Sequence, residues 1–128
     1  MTRIAIVEDN PDNRLLALAI LEGRYDCVEY ETGAEALAGL RRDVPALVLL
    51  DISLPGMDGV ETLQHIRADV ALRHLPVIAL TAHAMAGDRE RYLRAGFDDY
   101  VSKPILDEAI LLGAIARGLE GAVARQAG

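Results

Sequence analysis

Ala46-Leu47-Val48-Leu49-Leu50-Asp51 is an unbroken apolar run that ends in a carboxylate and is followed at once by Ile52-Ser53-Leu54-Pro55-Gly56. A short apolar run closed by Pro and Gly reads as a strand buried on both faces, the form parallel strands take when helices cover both sides of a sheet. Asp51 then stands at the strand's carboxyl end, the side of an open α/β sheet on which ligands bind. A lone aspartate there usually just starts a turn. Its company argues otherwise. Ile4-Ala5-Ile6-Val7 runs into Glu8-Asp9, Val77-Ile78-Ala79-Leu80 runs into Thr81, and Tyr100-Val101-Ser102-Lys103-Pro104 delivers a lysine.

Outward from these runs, strands and helices alternate. Asn10-Pro11-Asp12-Asn13 opens a helix to about Glu22, with Pro11 in its first turn and an acid that suits the dipole; Gly23 stops it. A second strand lies around Cys27–Tyr30, and Thr32-Gly33-Ala34-Glu35 is a capping box for a helix to about Arg42. Asp58-Gly59-Val60 leads into a third helix to about Ala68. A polar fourth helix spans about Asp88 to Ala95 and is closed by Gly96. Asp98–Val101 is expected as the fifth strand and Asp107 to about Leu119 as the last helix, leaving 120–128 as a short tail beyond a domain of residues 1–119. Five strands alternating with five helices predict a doubly wound, flavodoxin-like parallel sheet in strand order 2-1-3-4-5.

The chain has 128 residues, 52% of them hydrophobic, and a formal net charge of −7. That is enough apolar material for one core, and the acidic balance argues against nucleic-acid binding, which needs a basic face. No apolar run approaches the ~18 residues of a membrane span, and no leader is evident, so a cytoplasmic protein with no membrane partner is expected. The single cysteine, Cys27, reads as a half-buried strand residue.

In the predicted order strands one and three are neighbours, so Glu8, Asp9 and Asp51 converge in one crevice. Three carboxylates that close raise one another's pKa unless a cation intervenes. Mg²⁺, with Mn²⁺ as a substitute, suits an all-oxygen donor set that leaves room for a phosphate oxygen. Lys103 adds a positive charge and Thr81 a hydroxyl donor, both fitted to phosphoryl oxygens. The pattern reads as carboxylate nucleophile, metal and phosphoryl clamp, with Asp51 the residue phosphorylated.

Four motifs carry a family likeness: Ile6-Val7-Glu8-Asp9-Asn10, Leu50-Asp51-Ile52-Ser53-Leu54-Pro55-Gly56-Met57-Asp58-Gly59, Ala79-Leu80-Thr81-Ala82 and Tyr100-Val101-Ser102-Lys103-Pro104. Over about residues 3–119 the sequence resembles the receiver domains of two-component response regulators, most of all single-domain receivers of the DivK type and receivers of hybrid kinases. The resemblance implies that Asp51 takes its phosphoryl group from a phosphohistidine on a sensor histidine kinase or a histidine phosphotransfer protein. It implies a Mg²⁺ site of Glu8, Asp9, Asp51 and the backbone carbonyl of Ser53, with Thr81 and Lys103 on the phosphoryl oxygens. Tyr100 is by the same likeness the switch aromatic, and the Lys103–Pro104 bond is cis. Ser53 and His83 sit where the family tunes dephosphorylation.

Partner surfaces follow from the helices. On the first helix Asn13, Leu16, Ala17, Ile20 and Leu21 share the inward face, which leaves Leu15 and Leu18 outward or flanking, beside Asn10 and Pro11, as a phosphodonor docking surface. Output is expected through the fourth helix, fifth strand and fifth helix, toward a downstream protein or a second copy, since no room remains for an output domain. A flavin carrier of the same fold is disfavoured by the acidic loop after the first strand, which would repel a phosphate lacking a metal. A haloacid-dehalogenase-like phosphatase would place a general acid two residues after its aspartate, where this chain has Ser53.

Overall fold

The computed structural model describes residues 1–82 and 87–127, with side chains through 123. Ten elements alternate along the chain: β1 Arg3–Val7, α1 Pro11–Leu21, β2 Asp26–Tyr30, α2 Gly33–Arg42, β3 Leu47–Asp51, α3 Gly59–Ala68, β4 Val77–Thr81, α4 Asp88–Ala95, β5 Asp99–Ser102 and α5 Glu108–Ala127. The five strands form one parallel sheet in the expected order β2-β1-β3-β4-β5. All five residues of β3 and of β4 are buried, as two-faced burial requires.

Alternation along each strand feeds two cores. Ala5, Val7, Val48, Leu50, Val77 and Ala79 point to the side covered by α2, α3 and Tyr92 of α4. Ile4, Ile6, Leu47, Leu49, Ile78 and Leu80 point to the side covered by α1 and α5.

Helix starts are built from local side-chain bonds. Asn10 Oδ1 accepts from the N–H of Asp12 at 2.9 Å and of Asn13 at 3.1 Å, with Pro11 filling the first helical position. Thr32 caps α2 by accepting from the Glu35 N–H at 3.1 Å, and the Glu35 carboxylate reaches back to the N–H of Glu31, one residue upstream of the usual capping-box partner. Asp58 caps α3 through the Glu61 N–H at 2.9 Å.

Three expectations need correction. First, α5 runs on to Ala127, past its expected end at about Leu119. The segment contains no proline, and glycines at 118 and 121 cost only about 1 kcal/mol each against alanine, too little to stop a helix that is already packed. Gly118 is also needed: a Cβ there would stand 2.8 Å from Leu47 Cδ1, so glycine lets α5 lie close on β3. Second, β5 begins at Asp99, because the Asp98 carboxylate turns aside to accept the Val77 N–H at 2.7 Å and to pair with Arg67 at 3.1 Å. Third, the inward face of α1 is Ala17, Ile20 and Leu21; Leu16 is 37% exposed, while Leu18 is half-buried against the core. Leu18 lies one turn before Leu21 and so shares its side of the helix.

Candidate functional site

The ends of β1, β3, β4 and β5 bring the chemically capable residues together. Glu8 extends the β1 ladder by donating its N–H to Tyr30 O at 3.0 Å, and its carboxyl group reaches Lys103 and the neighbourhood of Asp51. Glu8 and Asp51 are each 1% exposed, whereas Asp9 is exposed at the rim. Carboxylate oxygens of the three lie within 4.8 Å of one another. Lys103 Nζ donates to Asp51 Oδ1 at 2.9 Å and to Glu8 Oε1 at 3.1 Å. The Ser53 N–H donates to Asp51 Oδ1 at 3.0 Å while the Ser53 side chain faces solvent.

Electrostatics divides the two buried carboxyls. Burial first, and then the neighbouring Asp51 carboxylate, push Glu8 up to about 7. Burial also pushes Asp51 up, but hydrogen bonds from the Glu8 carboxyl, the Ser53 N–H and the Lys103 ammonium outweigh it and hold Asp51 below the usual aspartate range. For Lys103, burial pulls down and the two acids more than restore it, so the ammonium stays charged. Asp51 is thus an ionised, nearly dry carboxylate with a fixed cation beside it. Even with a proton on Glu8, the Asp51 and Asp9 carboxylates against one ammonium leave excess negative charge, and every ligand atom the three acids offer is a hard oxygen, so the residues fit a Mg²⁺ ion.

Backbone geometry holds this arrangement from behind. Ile52 N–H donates to Leu80 O and Gly59 N–H to Ile52 O, both at 3.0 Å, which folds the loop after Asp51 back onto α3. Gly59 is required there: a Cβ would sit 2.3 Å from Asp51 O. The Lys103–Pro104 bond is cis, as expected, and the Lys103 N–H donates to Thr81 O at 2.8 Å. Thr81 is buried at the end of β4; Tyr100 is half-buried on β5, with its ring centroid 6.1 Å from that of Tyr92. Asn10 and Pro11 are exposed at the α1 start, Leu15 is exposed, and Leu18 is turned partly inward. His83 lies outside the described residues.

Two further residues were missed in the sequence. Arg14 donates to the backbone carbonyls of Glu8 at 2.9 Å and Asp9 at 3.3 Å, and pairs with Glu29 at 3.3 Å and Glu31 at 3.4 Å. A cation near a helix N-terminus opposes the dipole, and that misfit was the available signal of a dedicated partner. Tyr92 Oη lies 3.0 Å from Thr81 Oγ1 in a buried hydrogen bond. Its signal was a single aromatic in the otherwise polar Asp88-Arg89-Glu90-Arg91-Tyr92-Leu93-Arg94-Ala95.

With this geometry in hand, comparison with known proteins gives a consistent result. The family model of the response regulator receiver domain matches residues 4–116. The polar-differentiation response regulator DivK of Brucella ovis is 44% identical over 103 residues, covering 80% of this chain and 84% of that protein. The sensor protein GacS of Pseudomonas syringae pv. syringae is 41% identical over 112 residues, covering 84% of this chain, which spans only 12% of GacS. Among solved structures, the receiver domain of a sensor histidine kinase from Pseudomonas aeruginosa PAO1, with a magnesium ion coordinated in its active site cleft, superimposes with a TM-score of 0.84 at 37% identity, covering 93% of this chain and 98% of that one. Among the described residues no helix is long and apolar enough to cross a membrane.

Proposed function

The chain belongs to the response regulator receiver domains of two-component signalling, and from that premise we propose that it accepts a phosphoryl group from a phosphohistidine onto Asp51 and passes the signal on by protein contact. The observation that carries this reading is Lys103 Nζ bridging Asp51 and Glu8 inside a three-carboxylate cluster at the carboxyl ends of the strands. Glu8, Asp9, Asp51 and the Ser53 carbonyl would hold Mg²⁺. When bound, the ion neutralises charge on the transferring phosphoryl group.

The residues divide the work. Asp51 Oδ1 is engaged by Lys103 and the Ser53 N–H, leaving Oδ2 as the attacking oxygen. The new bond is Asp51 Oδ2 to phosphorus; the bond broken is phosphorus to imidazole nitrogen, which keeps the electron pair and takes a proton from solvent. Lys103 and Thr81 bind phosphoryl oxygens. Loss of the group is the same displacement with water as nucleophile, returning the Asp51 carboxylate and inorganic phosphate. Tuning of that loss is assigned to Ser53 and His83 on the family likeness alone, and decay of label from Ser53→Ala and His83→Ala measures their part.

For the donor, the first-helix surface is redrawn: Leu16 and Ile20 of α1 share a hollow with Ile105 and Leu106, just beyond Lys103-Pro104, whereas Leu15 and Leu18 open toward Cys27 and the β2 edge. Leu106 is 89% exposed and suits a helical donor's apolar face. Output is assigned to the α4-β5-α5 face, where Arg89, Tyr100, Ile110 and Arg117 line one hollow. The test is intact-mass measurement of phosphoryl incorporation from an acyl phosphate or phosphohistidine protein, with and without Mg²⁺. Incorporation by wild type and none by Asp51→Asn supports the reading; equal incorporation by the variant refutes it.

A further inference from the structure

α4 is held at its two ends in different ways. At its carboxyl end Arg67 of α3 donates to Gly96 O at 2.8 and 3.2 Å and pairs with Asp98, whose carboxylate also accepts the Val77 N–H. At its amino end the cap position is Gly87, in the left-handed region with φ 92°, and glycine has no side chain to offer the first-turn N–H groups. Between them, Tyr92 is the residue α4 buries, at 3% exposure. Its ring packs edge-on to Phe97 at 6.1 Å and tilted to Tyr100 at 6.1 Å, and the Arg91 guanidinium lies 5.0 Å from its centroid. The Tyr92 hydroxyl meets Thr81 Oγ1 at 3.0 Å and accepts from Arg91 Nη2 at 3.2 Å.

We propose that Tyr92 is a positioning residue that tethers Thr81 to α4 through this hydroxyl bond, so that capture of a phosphoryl oxygen by Thr81 breaks the tether and frees the amino-terminal turn of α4 to swing about its Arg67-pinned end. The proposal rests on the receiver reading above, because it needs a phosphoryl group on Asp51. Its physical content is competition for one rotor. Threonine χ1 is restricted, so its hydroxyl has few places to go, and the bond to Tyr92 favours one of them. A phosphoryl oxygen is charged and makes the stronger bond, so it wins, but the bond it replaces is subtracted from the gain. Because Tyr92 also touches Tyr100, its release reaches α4 and β5 together.

The experiment titrates the Mg²⁺-loaded chain with fluoroberyllate, a tetrahedral phosphoryl mimic, followed by fluorine NMR. A neutral hydrogen bond is worth enough for Tyr92→Phe to bind the mimic about threefold to tenfold tighter than wild type. The same substitution must have no effect in a Thr81→Ala background, and Mg²⁺ affinity must stay at the wild-type value. Unchanged or weaker mimic binding by Tyr92→Phe, or equal tightening in the Thr81→Ala background, overturns the tether while leaving the receiver reading in place. Failure of wild type to bind the mimic, or full binding by Asp51→Asn, overturns both. A second measurement needs no variant: in wild type carrying carbon-labelled tyrosine rings, the Tyr92 resonance must move when the mimic binds, and a stationary resonance overturns the tether even if Tyr92→Phe fails to fold.

Discussion

Gly59→Ala puts a methyl group where backbone already stands. The ideal Cβ lies 2.3 Å from Asp51 O, 2.7 Å from Ile52 Cα and 3.0 Å from Asp51 C, and none of these is the end of a flexible side chain. Carbon contacts are comfortable only beyond about 3.5 Å, so the Asp51 carbonyl must retreat by about 1 Å. Overpacking of that kind costs about 1–3 kcal/mol, offset by about 0.4–1 kcal/mol from the stiffer unfolded chain, a net loss centred near about 1.3 kcal/mol. With an unfolding entropy of about 2.1 cal/mol/K per residue over 128 residues, Tm falls by about 5 °C. The sharper effect is local. The displaced residue is the proposed nucleophile, and a misplacement of about 1 Å costs on the order of 100-fold in rate. Calorimetry gives the first number, and the initial rate of labelling by acetyl phosphate, taken well below Tm, gives the second. A variant with wild-type Tm and wild-type labelling would show that the loop after Asp51 is not held by its contact with α3, and the reasoning would fail.

Lys103→Ala removes the cation between two carboxylates that are each 1% exposed, and should cost the metal-free protein about 3–5 kcal/mol, less whatever Glu8 recovers by taking a proton. Mg²⁺ should therefore raise Tm more in the variant than in wild type; an equal or smaller rise refutes the charge argument. Arg67→Met keeps the aliphatic stem but loses bonds to Gly96 O, Leu75 O, Arg73 O and Asp98, and should lower stability in urea by about 2–4 kcal/mol with faster amide exchange at 96–98. Exchange that rises in α1 instead would place the clamp wrongly. Leu106→Glu should slow phosphotransfer from a phosphohistidine protein at least tenfold and leave acetyl phosphate labelling unchanged, since it alters a docking surface and not the site; parallel loss of both activities counts against that surface.

Much of the site was legible because its members sit at the ends of apolar runs, where the sequence marks a strand and the topology then decides what meets what. Glu8, Asp9 and Asp51 needed only the β1-β3 adjacency to become one cluster, and Lys103 only the placement of β5. What escaped were contacts made by long side chains across elements. Arg14 reaching two carbonyls, Arg67 bridging α3 to Gly96, and Tyr92 meeting Thr81 leave no periodic trace, because each depends on reach and rotamer rather than on spacing. The face of α1 was misjudged in part for a related reason: helical periodicity fixes the centre of a buried stripe but leaves its edges to the neighbouring helix, so Leu16, expected inward, is exposed while Leu18 flanks the core. The length of α5 was underestimated because the residues beyond Leu119 are small and polar and carry no apolar stripe to mark a helix, whereas Gly118 shows how closely α5 already packs on Leu47.

The sheet, with its alternating strands, is a partition wall. Leu49 and Leu50 are adjacent in sequence yet belong to separate interiors, one roofed by α1 and α5 and the other by α2, α3 and α4. A substitution that reshapes the α1 side is repacked there, against Ile4, Ile6 and Leu47, without asking Val48, Leu50 or Tyr92 to move. The donor surface proposed on α1 is thus free to change while the interior behind Tyr92 stays as it is. A sheet that separates two interiors in this way lets one face be rebuilt around a new contact while the packing behind the other is kept.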